Sequence, residues 1–214
     1  MIERQSNQGG AAWLKDRAGH ATASRFCDIL AVSKRDGKPL KAREDYLMDL
    51  VVERITGEPK DSASSFAMQW GTDAEPYARA EYEAVTGNMV REVGFVKHKL
   101  HKWVGASSDG LVGATGGVEI KCPFNSAIHL QTWSDGAMPE HHAAQVFGQM
   151  WILDLEWIDF CSFDPRMQNG GEHLKLFTTR IERDQKAIDD LESEVLGFLS
   201  EVERKVAAFM AMGK

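Results

Sequence analysis

Apolar residues recur at intervals of three and four along the C-terminal part of the chain, at Ile188, Leu191, Val195, Phe198, Val202, Val206 and Phe209. That spacing is the buried stripe of a helix and predicts one over Asp184 to Met210. It does not sustain heptads for the length a coiled coil needs, so it reads as core packing. The same period predicts helices over Ala42 to Thr56, stopped by Gly57, over Phe66 to Val85, closed by Gly87, and over Glu140 to Leu153. Pro76 predicts a kink or a fresh start inside the second of these. A shorter helix is expected over Thr22 to Val32, capped by Thr22 or Ser24, and Ser33 to Pro39 reads as a basic loop. After Asn88 the period shortens to two. Strands are predicted over Met89 to His98, Trp103 to Ala106, Val118 to Cys122, Trp157 to Phe163 and Leu174 to Ile181. This order predicts an α/β fold, a mixed central β-sheet flanked by helices, as one domain over residues 1–214.

Composition changes the picture little. A hydrophobic content of 43% and a charged content of 27% are ordinary for a globular domain. No apolar run approaches the roughly 18 residues of a membrane span. Met1 to Asn7 has no apolar core of a signal peptide. Three scattered cysteines, Cys27, Cys122 and Cys161, fit buried thiols in a reducing, cytoplasmic setting and are too few for an iron–sulfur cluster. The net charge of −7 runs against a nucleic-acid partner at first sight. Acid is concentrated in Glu182 to Glu203, however, while Arg17, Arg25, Lys34, Arg35, Lys38, Lys41 and Arg43 crowd the N-terminal part. A basic channel can coexist with an acidic exterior.

Chemistry is densest between Gly105 and Phe124, which reads as two short strands joined by a Gly-rich turn, with Asp109 at the end of the first. Alternation puts Glu119 and Lys121 on one face and Val118, Ile120 and Cys122 on the other. A hairpin return can bring Asp109 beside Glu119. Two carboxylates and an ammonium on one face can hold a hard divalent cation and activate a water. The pattern acid-x-Lys also occurs at Asp36, Glu58, Asp184 and Glu203, in polar or helical surroundings that read as solvated faces. Glu119 alone is flanked by β-formers. Histidines His141 and His142 lack the companion ligands of a zinc site.

Five blocks in fixed order carry a wider likeness. They are Trp13 to Arg17 with Thr22 to Ser24, Gln69 to Arg79, Ser107 to Leu111, Val118 to Phe124, and Ala144 to Trp151. Through them the chain resembles the phage lambda-type exonucleases, YqaJ-like viral recombinases within the PD-(D/E)xK, restriction-endonuclease-like superfamily. The resemblance implies an enzyme, a metal-dependent exonuclease that digests one strand of linear double-stranded DNA 5′→3′ and leaves 3′ overhangs for recombination. It implies Mg²⁺ as cofactor, with Mn²⁺ as a substitute, held by Asp109, Glu119, the Ile120 backbone carbonyl and Glu75. Lys121 would orient or deprotonate the attacking water, and Gln145 would hydrogen-bond the water, Lys121 or phosphate. Arg17, Ser24 and Ser107 match a pocket for the terminal 5′-phosphate, Met68 and Phe66 a place where relatives split the end base pairs, and His142 a further DNA contact. For Ser24 a helix cap, for Glu75 a helix-end charge, for Lys121 a salt bridge with Glu119 and for Met68 core packing are the plainer alternatives. The family also implies a homotrimer ring and a single-strand annealing protein as partner, with no membrane. Two departures are visible: Ser108 stands where many relatives have Pro, and His142 where some have an aromatic residue. The alternatives in function are a structure-specific endonuclease of the same fold and a non-catalytic DNA-end-binding adaptor.

Overall fold

The computed structural model describes residues 10–60 and 65–212. The N-terminal residues read above for a leader lie outside that range. In chain order the elements are α1 (Ala11–Arg17), β1 (Ala21–Thr22), a 3-10 turn (Ala23–Arg25), α2 (Phe26–Ile29), α3 (Lys41–Thr56), α4 (Phe66–Thr86), β2 (Val90–Arg91) and β3 (Val96–Lys97). Then come β4 (Val104–Ala106), β5 (Gly110–Val112), β6 (Gly116–Lys121), α5 (Ser126–Asp135), α6 (Ala143–Leu153), β7 (Trp157–Phe163), β8 (Leu176–Glu182) and α7 (Gln185–Ala211). The class is α/β, as the sequence predicts.

Two mixed sheets share the strands. One has the order β1-β4-β3, the other β2-β5-β6-β7-β8. In the larger sheet β6 is central, antiparallel to β5 and parallel to β7 from Gly116↔Trp157 to Lys121↔Ser162. Its faces alternate as expected. Val118 and Ile120, with Cys161 and Phe163, pack on Ala78 and Tyr82 of α4. The other face looks to α6. A larger core joins α3, α6 and α7 through Tyr46, Leu50, Val146, Met150, Val195 and Phe198. The α7 stripe is core packing: Ile188, Leu191, Val195, Phe198 and Val202 are buried, and the Asp184 carboxylate caps the helix by accepting from the Ala187 N–H at 3.0 Å.

Several predicted boundaries are corrected. Thr22 to Val32 is not one helix: it splits into a strand residue, the 3-10 turn and the single turn α2, and no side chain of Thr22 or Ser24 caps them. Met89 to His98 is not one strand, because β2 joins the large sheet and β3 the small one. Asp109 precedes β5 rather than ending β4. α4 passes through Pro76 without a fresh start, so Glu75 lies mid-helix and is no helix-end charge. Cys27 is exposed, not buried. Two helices, α1 and α5, lack a sequence signal of the usual kind. α1 buries no residue, and α5 buries the polar His129 and Thr132 while exposing Ile128 and Leu130. Aromatic rings press on bare backbone most closely at two glycines of the hairpin region: an added Cβ would meet the Phe95 ring at 2.1 Å over Gly105 and the Trp157 ring at 2.1 Å over Gly116. Among the described residues no helix is long and apolar enough to cross a membrane.

Candidate active site

Strand β6 presents Glu119 and Lys121 toward α6, where Gln145 and Gln149 stand one helical turn apart. The Glu119 carboxylate is 1% exposed, which removes it from water and leaves it dependent on partners. It has three. Lys121 Nζ lies 2.6 Å from Oε1, Gln145 Nε2 donates to Oε1 at 2.5 Å, and Gln149 Nε2 donates to Oε2 at 2.6 Å. Lys121 also donates to Gln145 Oε1 at 3.0 Å, so Gln145 closes a ring of hydrogen bonds with the acid and the ammonium.

Asp109 reaches the same strand from the other side. Its Oδ2 accepts from the Ile120 N–H at 2.6 Å. The N–H and C=O of one strand residue point to the same edge. The Ile120 carbonyl is therefore directed to the edge that Asp109 occupies. Ser108, buried, links the hairpin: its hydroxyl donates to the Gly110 carbonyl at 3.1 Å, with the Val118 carbonyl at 3.3 Å. Glu75 comes from α4, where Arg79 donates to it at 2.8 Å and also meets Glu92 at 2.5 Å.

The acids feel one another. Burial, then the charges of Glu119 and Glu75, push the Asp109 carboxyl well above the ordinary carboxylate range. Burial also raises Glu75, against the opposing pull of Arg79. Burial disfavours the Lys121 ammonium, yet Glu119 and Asp109 outweigh it and raise its pKa. Beside this group His142 is pushed down to about 3, by burial and then by Lys121 and His141, so it stays neutral. Its ring packs at 5.3 Å from Phe160, which pairs with Glu119 across β6 and β7.

The chemistry of this donor set suits a hard cation: oxygen ligands on one carboxylate-rich patch whose mutual repulsion a divalent ion would relieve. Among the described residues no three acid, histidine or cysteine side chains already converge as a cage. The fit is to a divalent ion held by few protein oxygens and otherwise by water.

A second cluster adjoins the first. The Arg17 guanidinium donates to Ser107 Oγ at 3.2 Å, Ser24 Oγ at 3.3 Å and Thr22 Oγ1 at 3.4 Å, and stacks on the Trp13 ring at 4.2 Å. Trp13 Nε1 donates to Ser107 Oγ at 2.9 Å. Burial lowers the Arg17 pKa, and among the described residues no carboxylate lies within ion-pair distance of it. Five of the other six basic residues read as a channel wall differ: Arg25 pairs with Asp28, Arg35 and Lys38 with Asp36, Lys41 with Asp45, and Arg43 with Glu201.

Met68 and Phe66 do not pack in the core. They are 57% and 73% exposed, and Phe66 meets Phe124 edge-on at 5.1 Å. Phe124 lies three residues past the end of β6; its ring meets Trp70 at 6.1 Å, its carbonyl accepts from Arg166 at 3.0 Å, and the Arg166 guanidinium lies 4.4 Å from the Trp70 ring. Of the expected residues, Asp109, Glu119, Lys121, Gln145 and Glu75 come together, Arg17, Ser24 and Ser107 form a neighbouring group, and Met68 stands apart from both on the surface of α4. Gln149 was not singled out from sequence. Its signal was available: a second glutamine one turn after Gln145, on the inward face of an apolar helix.

A model of the YqaJ-like viral recombinase domain matches residues 12–156. The chain is 26% identical over 174 residues to the uncharacterized protein R354 of Acanthamoeba polyphaga mimivirus, and 22% identical over 190 residues to the uncharacterized protein YqaJ of Bacillus subtilis. These alignments cover 75% and 88% of this chain but 30% and 55% of those longer proteins, so the chain spans about half their length or less. Among solved structures it is similar to the alkaline exonuclease LHK-Exo of Laribacter hongkongensis, with 39% identity, a TM-score of 0.83, and 92% of this chain and 95% of that one covered. A phage related exonuclease from Haemophilus somnus 129PT shares the fold, at a TM-score of 0.62 and 14% identity over 89% of this chain and 96% of that one. On a family match across most of its length, seated on the residues described above, the chain belongs to the YqaJ-like viral recombinase family.

Proposed function

We propose that the chain is a Mg²⁺-dependent exonuclease that digests one strand of linear duplex DNA from its 5′ end and leaves a 3′ overhang. Family membership and the likeness to an alkaline exonuclease support a DNA exonuclease. The observation that carries the chemistry is the closed ring of Glu119, Lys121 and Gln145 beside Asp109. Asp109, Glu119, the Ile120 carbonyl and Glu75 would hold the cation. A bound divalent ion supplies charge neutralisation at the scissile phosphate and acidifies water.

The protein's own groups do the rest. Lys121 is an ammonium with a raised pKa, so it acts as a donor to an attacking water and to charge that develops on phosphate. Gln145 fixes the ammonium and the carboxylate in one geometry. Neutral His142 adds no positive charge that would compete with the cation. Arg17, held by hydroxyls and with no carboxylate at ion-pair distance among the described residues, is a ready partner for a terminal 5′-phosphate, which it would bind through paired charge-assisted hydrogen bonds. Exposed Met68 and Phe66 would meet the bases at the duplex end.

The deciding experiment is time-resolved digestion of linear duplex labelled at either the 5′ or the 3′ end, in Mg²⁺ and in excess chelator, with closed circular DNA alongside. The expected result is early release of the 5′ label, none in chelator, and an intact circle. Cleavage of the circle would make the chain an endonuclease of the same fold. Binding without release would make it an adaptor. A ring-shaped homotrimer belongs to the same proposal, and light scattering that finds only the single-chain mass of 23.8 kDa would remove it.

A further inference from the structure

Gln149 is fully buried, and its amide spans two places at once. Nε2 donates to Glu119 Oε2 at 2.6 Å and to the Ser107 carbonyl at 3.3 Å. Both partners are acceptors, so the amide must present its NH₂ to them. Ser107 is the residue whose hydroxyl receives Arg17 and Trp13. An unbroken path thus runs from the Arg17 guanidinium through Ser107 and the Gln149 amide to the carboxylate read above as a metal ligand. The helix that carries Gln149 has little freedom to yield, since Gly148 lies against the Phe26 ring and α6 packs on the 3-10 turn holding Ser24. The remaining atom, Gln149 Oε1, is buried with no hydrogen-bond partner among the described residues. A lone buried acceptor is costly.

We propose that Gln149 is a positioning residue that couples the Arg17–Ser107 pocket to Glu119, so that a 5′-phosphate in the pocket sharpens cation binding at the neighbouring site. The inference rests on the exonuclease reading above. Phosphate drawn to Arg17 competes for the guanidinium that now holds Ser107 and shifts the Ser107 carbonyl. The shared NH₂ carries that shift to Oε2 of Glu119. Linkage is reciprocal, so the effect appears as a change in cation affinity with the state of the DNA end.

The test titrates Ca²⁺ calorimetrically into the wild-type protein bound to a blunt duplex with either 5′-phosphate or 5′-hydroxyl ends. Wild type should bind Ca²⁺ about fivefold or more tightly with the phosphorylated duplex, the lower range of ordinary coupling. Gln149→Met, close in shape but without the amide, should give one affinity for both duplexes. Gln149→Asn keeps the amide, is too short for the span, and should do the same, which covers the case in which the Met variant fails to fold. Equal affinities in wild type overturn the coupling, and a folded variant that keeps the wild-type ratio overturns the role of Gln149. Absence of Ca²⁺ binding with either duplex overturns the metal reading of the site, and this inference with it.

Discussion

At Glu119 a single buried carboxylate is held by one ammonium and two amides, and that determines what substitutions there report. Asp109→Asn and Glu119→Gln each remove a charge without changing shape. Each should lower nucleotide release by roughly a hundredfold or more while DNA binding survives. Comparable turnover by both variants in a single-turnover assay would sink the two-carboxylate site. Lys121→Ala should lower turnover far more than cation affinity if, as proposed, the ammonium serves the water and the phosphate; metal binding lost with chemistry intact would contradict that. Arg17→Ala should erase the preference for 5′-phosphorylated over 5′-hydroxyl ends and cut hydroxyl ends as wild type does. Two proteins and two substrates make the double-mutant cycle, and zero coupling would reduce Arg17 to a structural residue. Glu119 and Lys121 are legible in the sequence because alternation in a strand is a strong local rule, and Asp109 because the Gly-rich turn returns the chain beside them. Gln149 was not, because its partners, Glu119 and Ser107, come from 30 and 42 residues away in the chain. Nor could the sequence show that five of those N-terminal basic residues sit in ion pairs with nearby acids, whereas Arg17 is held by hydroxyls.

Among the elements, the long amphipathic ones follow their apolar period closely. α3, α4 and α7 end within a residue or so of their predicted limits, and β7 matches its own, because each buries a continuous face. The failures share a physical cause. β2 and β3 are two residues each, too short for any period to register, and they were merged because nothing local says that consecutive strands enter different sheets. α5 inverts the usual rule by burying His129, whose ring bonds Ser162 at 2.8 Å and the Leu174 carbonyl at 2.7 Å. Its ends were nevertheless marked: the Asn125 side chain accepts from Ala127 N–H at 3.0 Å, and Gly136 takes the left-handed conformation with φ 61°. At this scale the cap of α7 is the simplest check. Asp184→Ala should cost about 1 kcal/mol of unfolding free energy, the ordinary worth of an N-cap. No change in the denaturation midpoint would mean that packing alone sets that terminus.

For the molecule as a whole, the crowded acids set a stability that depends on pH and on metal together. Asp109 holds its proton longer in the folded state than in the unfolded chain, by burial first and then by Glu119 and Glu75. Its contribution is therefore present at low pH and lost as pH rises from the unfolded carboxylate value, about 4, through the raised folded one. Asp164 and Glu201 run the other way, held low by Arg166 and Arg43 against burial, and lose their contribution on acidification. A comparison with Asp109→Asn isolates the first effect. In chelator at about pH 8 the variant should melt above wild type, with the gap closing toward about pH 4, and Mg²⁺ should raise wild type far more than the variant. A metal-free wild type that melts above the variant at alkaline pH would contradict the repulsion. The ring-covered glycines Gly105 and Gly116 bear on mutational tolerance. In a saturation scan Gly105 and Gly116 should accept almost nothing, since Phe95 and Trp157 already fill the space of a Cβ. Both flank Asp109 and Glu119 in the chain, and by position alone such intolerance would pass for catalytic importance. Scoring cellular abundance beside activity separates the cases: variants at these glycines should vanish from the soluble pool, whereas Glu119→Gln should remain abundant and silent.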